Sequence, residues 1–75
     1  MNQTIKMTFQ EYQQKNNAIN QRLSQISEIT SNMAFVNTAN TDNPDFVQLI
    51  KEYYEKIRQS EELTKQMMLQ LGIKN

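Results

Sequence analysis

The chain is expected to be all-α: an antiparallel two-helix hairpin that completes a four-helix bundle by dimerising or by binding a partner. Three observations predict it. Two long segments carry apolar residues on a heptad seam, at steps of three, four and seven in the first. Between them lies NTANTDNPDF, residues 37–46, with the single proline of the chain. Folded back on each other, the two segments bring apolar positions level with apolar positions and polar with polar.

The first helix is expected over 9–36, after a tail of residues 1–7. In MTFQEY, Thr8 and Glu11 have the spacing of a capping box, and Met7 with Tyr12 that of a hydrophobic staple. The seam then reads Phe9, Tyr12, Ile19, Leu23, Ile26 and Met33, with Asn16 and Thr30 in two polar slots. Ile29, Phe35 and Val36 widen the apolar face. No Gly or Pro interrupts the run.

The hinge is expected over 37–43. Asn, Thr and Asp side chains compete with helical hydrogen bonds. The residue before a proline is steered away from helical dihedrals. Pro44 suits the first helical position, Asn43 the cap before it, and Asp45 the positive helix end. The second helix, 44–71, has the seam Phe46, Ile50, Tyr53, Ile57, Ser60, Thr64, Met67 and Leu71, flanked by Val47, Leu49, Tyr54, Leu63 and Met68. Glu52 with Lys56 and Glu61 with Lys65 have the favourable order for ion pairs, each contributing about 0.3–0.5 kcal/mol. Gly72 supplies the stop, leaving 73–75 as a tail. Both helices would span about 40 Å at roughly 1.5 Å per residue.

Antiparallel pairing on this seam sets Met33 against Phe46 and Val47, Ile26 against Tyr53 and Tyr54, Leu23 against Ile57, Tyr12 against Met67 and Met68, and Phe9 against Leu71. Asn16 falls level with Thr64, and Ile19 near Ser60. Asn16, Ser60 and Thr64 are thus the expected register-setting polar layer, a role a seam asparagine can fill at some cost in stability.

Composition narrows the function. With 75 residues the chain holds one small domain, near the limit of independent stability. It has no Cys and no His, so the usual zinc ligands and the commonest general base are missing. One glycine cannot build a phosphate-cradling loop. Asp42 and Asp45 in DNPD are too few oxygen ligands for a dedicated calcium loop. Glu61 and Glu62 are adjacent and point in different directions, a poor acid–base pair. A non-enzyme without cofactor or metal is expected. Formal net charge is zero, from 8 basic and 8 acidic residues, which disfavours a phosphate-backbone binder unless an oligomer collects Lys51, Arg58 and Lys65 on one face. No apolar run approaches the roughly 20 residues of a membrane span. MNQTIKMTF lacks the apolar core of a secretory signal, so a cytoplasmic location is the default expectation, with signal-less secretion or virion association left open.

Two helices side by side bury one stripe each, and the wider stripe on the second helix is left over. Tyr54, Leu63, Met68 and Leu69, with Ile29 and Phe35 on the first helix, are the expected partner interface; Tyr53 and Met67 are expected in the core. The leading function is a small protein-interaction module (adaptor, chaperone or inhibitor) that presents an apolar helix face to itself or to a larger protein. The segment TDNPDFVQL and the overall size resemble the needle subunits and small chaperones of type III secretion. That resemblance implies a structural subunit or small secretion chaperone as the alternative. A nucleic-acid-linked regulator is the third.

Overall fold

In the computed structural model, which describes residues 7–72, two helices of 27 residues pack against each other: α1, Phe9–Phe35, and α2, Pro44–Gln70. The expectations for residues 1–6 and 73–75 lie outside the described residues. Met7, expected in the tail, is held instead. The Gln70 side chain accepts from the Met7 amide at 2.9 Å and donates to its carbonyl at 2.8 Å, tying the start of α1 to the end of α2.

Local chemistry sets each helix end. The Thr8 hydroxyl accepts from the Glu11 amide at 3.0 Å, and the Glu11 carboxylate accepts from the Thr8 amide at 2.9 Å. Two amides that the helix cannot satisfy are thereby paired. At its far end α1 closes with a Schellman motif. The Thr38 amide donates to Met33 O at 2.7 Å and the Asn37 amide to Ala34 O at 3.1 Å, with Asn37 left-handed at φ 62°. Asparagine tolerates that conformation better than other residues bearing a Cβ. Gly72, at φ 77°, ends α2 in the same conformation. Each helix stops one residue before the expected 36 and 71, because Val36 and Leu71 serve as caps.

The hinge is a hydrogen-bonded link centred on Asn43. Its side-chain oxygen accepts from the Asp45 amide at 3.0 Å and caps α2, while its Nδ2 donates to Thr38 O at 2.9 Å. The Thr38 hydroxyl and amide both donate to Met33 O. Asn40 Oδ1 accepts from the Asp42 amide at 3.0 Å and closes the turn between them.

Across the hairpin, the Ser60 hydroxyl donates to Asn16 Oδ1 at 3.3 Å, and the Tyr12 and Thr64 hydroxyls are hydrogen-bonded at 3.2 Å. The expected register set Asn16 level with Thr64 and Tyr12 with Met67. The observed register is displaced by one helical turn. Counted along both helices from Asn16 and Ser60, Ile26 comes level with Ile50 instead of Tyr53. Phe35 comes level with Thr41, inside the hinge. The end of α1 therefore overhangs α2, and Phe35 is 88 % exposed. Phe9 and Leu71, expected to meet, are both largely exposed.

On α1 the half-buried and buried positions are Tyr12, Asn16, Ile19, Arg22, Leu23, Ile26, Thr30 and Met33. That is the expected seam with Arg22 added and Phe9, which is exposed, lost from its start. Thr30 is accommodated by donating back to Ile26 O at 2.9 Å. Among the described residues, Ile26, Leu63 and Met67 form the buried core, with Ile26 alone at zero exposure. Burial of one such side chain contributes about 1.5–3 kcal/mol, so three of them make a small core.

Candidate interaction surface

The rotation of α2 decides which of its apolar residues α1 covers. Leu63 and Met67 are buried, and Leu49, Tyr53, Lys56 and Ser60 are half-buried. These six recur at steps of four and three and define the stripe against α1. Compared with the expected seam, α2 is turned towards Leu49 and Leu63. Leu63, expected at a partner interface, is instead part of the hairpin core.

A second stripe runs beside the first: Val47, Ile50, Tyr54, Ile57, Glu61, Thr64, Met68 and Leu71, at steps of three and four. With 3.6 residues per turn its centre lies about 100° around α2 from the stripe facing α1. Val47, Ile50, Ile57, Thr64 and Met68 are half-buried, Ile57 and Thr64 bordering the hairpin contact; Tyr54 and Leu71 are 63 % and 65 % exposed. Tyr53 braces Tyr54 from within, its ring meeting the neighbour edge to face at 6.1 Å and 89°.

The opposite edge of the hairpin is closed by charge. Arg22 grips Glu52 with a planar fork, Nε to Oε2 at 2.6 Å and Nη2 to Oε1 at 2.8 Å, and Nη1 donates to Gln25 Oε1 at 3.2 Å. This bidentate geometry is the strong form of the pair. Hydrogen bonding to Arg22 holds the Glu52 carboxyl below the usual carboxylate range, partial burial opposes it, and the Arg22 and Lys56 charges reinforce it. The same bond raises the Arg22 guanidinium above its ordinary value. Among the described residues this is the one salt bridge; the expected pairs Glu52–Lys56 and Glu61–Lys65 do not form. Glu52 spends its two oxygens across the hairpin instead of along its own helix.

The six residues expected at a partner interface therefore do not share one face. Tyr54 and Met68 lie together on the second stripe of α2, Tyr54 exposed and Met68 half-buried. Ile29, 39 % exposed, is one heptad beyond Arg22 and so lies on the ion-pair side. Phe35 projects at the hinge end. Leu69 is exposed on the outer side of α2. Ile50, Ile57 and Leu71, expected in the seam against α1, and Val47, expected beside it, lie on the same stripe, at a spacing with Tyr54 and Met68 that is legible in the sequence. The three residues expected to form one polar layer lie in two hydrogen-bonded pairs across the hairpin, Asn16 with Ser60 and, one turn on, Thr64 with Tyr12.

The arrangement holds little reactive chemistry. Among the described residues no three or more Asp, Glu, His or Cys side chains converge on a point. The open hollow on the outer face of α1 is lined by Asn17, Asn20, Gln21, Ser24 and Gln25, none of them ionisable. No described helix is long and apolar enough to cross a membrane. Compared with protein-family models, curated proteins and solved structures, the chain matches none.

Proposed function

We propose that the protein is a non-catalytic interaction module whose docking face is the second stripe of α2. One observation carries the reading: α1 covers the first apolar stripe of α2 and only part of the second, leaving Tyr54 63 % and Leu71 65 % exposed on it. Tyrosine and methionine, the exposed and half-exposed residues at positions 54 and 68, are types enriched where proteins meet. A helix laid along Val47–Leu71 would convert the hairpin into part of a bundle, with helices packed in the usual side-by-side manner.

The experiment is solution mass by light scattering over a wide concentration range, with circular dichroism on the same samples. A helical species that forms a discrete complex supports the module. Open-ended growth into filaments would favour a structural subunit of the needle type. A salt-sensitive shift on adding DNA or RNA would favour a nucleic-acid regulator, because phosphate contacts weaken steeply with salt.

A further inference from the structure

We infer that the occupant of the α2 stripe is a second copy of this chain, packed antiparallel on the same stripe; this rests on the docking-face reading above. The exposed area supports this. A compact monomer of 8.9 kDa exposes about 4,800 Å², by the scaling of surface with mass, whereas the 75-residue chain as a whole exposes 6110 Å². Its radius of gyration is 16.5 Å, against about 11 Å for a compact chain of this length. The excess of about 1,300 Å² per chain exceeds the roughly 800 Å² that each partner contributes to a standard stable interface.

The stripe is also self-complementary. Laid antiparallel on itself about a two-fold axis, the stripe has one register in which all eight positions meet. Val47 then faces Leu71 of the copy, Ile50 faces Met68, Tyr54 faces Thr64, and Ile57 faces Glu61. The apolar pairs fall at the ends and the polar members near the axis. Because the operator is two-fold, each contact occurs twice.

The stripe also holds a charge. Glu61 interrupts an otherwise uncharged row, and a purely apolar partner would strand its carboxylate. In the antiparallel register Glu61 lies opposite Ile57, beside Arg58 of the copy. Arg58 is exposed on the edge next to the stripe and has no carboxylate within 4.0 Å among the described residues. Two symmetric Arg58–Glu61 pairs would flank the axis. The same register runs the basic row Lys51, Arg58 and Lys65 of each copy along one groove, so the two Glu61 carboxylates supply the counter-charge between them.

Sedimentation equilibrium on charge-reversed chains tests this. Arg58→Glu and Glu61→Arg should each weaken the dimer about tenfold or more, and the double variant should recover most of the loss, as cross-interface charge pairs do. Circular dichroism on each variant confirms that the exposed substitutions leave the helices intact. Ile50→Cys chains mixed with Met68→Cys chains should form a disulfide-linked dimer, while either alone should not; the native chain has no cysteine to interfere. Strictly additive charge reversals, or cross-linking of Tyr54→Cys to itself, would overturn the antiparallel register. A chain that stays monomeric at the highest attainable concentration would overturn the second copy. If that monomer still shifts its 47–71 amide resonances on adding a Leu-rich amphipathic peptide, the docking face survives; if it does not, both readings fall.

Discussion

Ser60 donates to Asn16 across the hairpin at 3.3 Å, and this short contact between two small side chains states the register of the molecule. Neither side chain can reach a residue one turn away, so the pair is more discriminating than any apolar contact around it. It predicts that Asn16→Ala and Ser60→Ala each cost about 0.5–1.5 kcal/mol, the usual net worth of a hydrogen bond. Urea unfolding of the double variant should show clear coupling. Asn16→Ala with Thr64→Ala should couple less, because Thr64 is bonded to Tyr12.

Arg22 and Glu52 make stability depend on acidity. The folded-state pKa of Glu52 is depressed, so its contribution is full above the unfolded carboxyl value, about 4.3. It disappears as pH falls through the lower folded value. The melting temperature of the native chain should drop on acidification through this window more than that of Glu52→Gln. Equal drops in both chains would show that the fork does not couple to folding. Arg22 stays charged throughout the accessible range, so it adds no second transition.

Asn43 joins the two helices through a single side chain. Asn43→Ala should cost about 1–2 kcal/mol, because it removes the cap of α2 and the bond to Thr38 together. Asn43→Asp keeps an acceptor for the Asp45 amide but has no donor for Thr38 O, so it should fall between. At the neighbouring turn, Asn37→Gly should be neutral or slightly stabilising, since φ is already 62°. Thermal melts of the three variants check the order.

Core and surface should separate cleanly. Ile26→Ala removes the one fully buried side chain and should cost about 2–4 kcal/mol. Tyr54→Ala should change the stability of the isolated hairpin by about 0.5 kcal/mol or less, as exposed positions do, while weakening association. Met68→Lys should likewise reduce association more than helicity. A Tyr54→Ala chain that unfolds like Ile26→Ala would mean that the second stripe belongs to the core.

The contrast between these residues shows what a sequence can carry. The capping box at Thr8 and Glu11, the cap at Asn43 with Pro44, and the α1 seam with its polar slots are local, and each was legible because its chemistry acts within a few residues. The register was not. A seam with apolar residues every three or four positions still matches itself after a slip of one turn, so apolar matching alone has several near-equal solutions. Asn16 with Ser60, and the Schellman turn at Asn37, choose among them. The rotation of α2 was hidden for a related reason: two adjacent apolar stripes compete for α1, and Leu63 belongs to the one that wins. The Arg22–Glu52 fork follows from that rotation and had no signal of its own, since Glu52 had an equally plausible neighbour in Lys56.

The most direct measurement of the central claim is hydroxyl-radical footprinting of the native chain, dilute and concentrated, read by mass spectrometry. The account predicts that Tyr54 and Met68 lose reactivity together as concentration rises, while Phe35, projecting at the hinge, stays as reactive as before. Unchanged reactivity at Tyr54 and Met68 in a sample that has associated, or protection centred on Phe35, would contradict it.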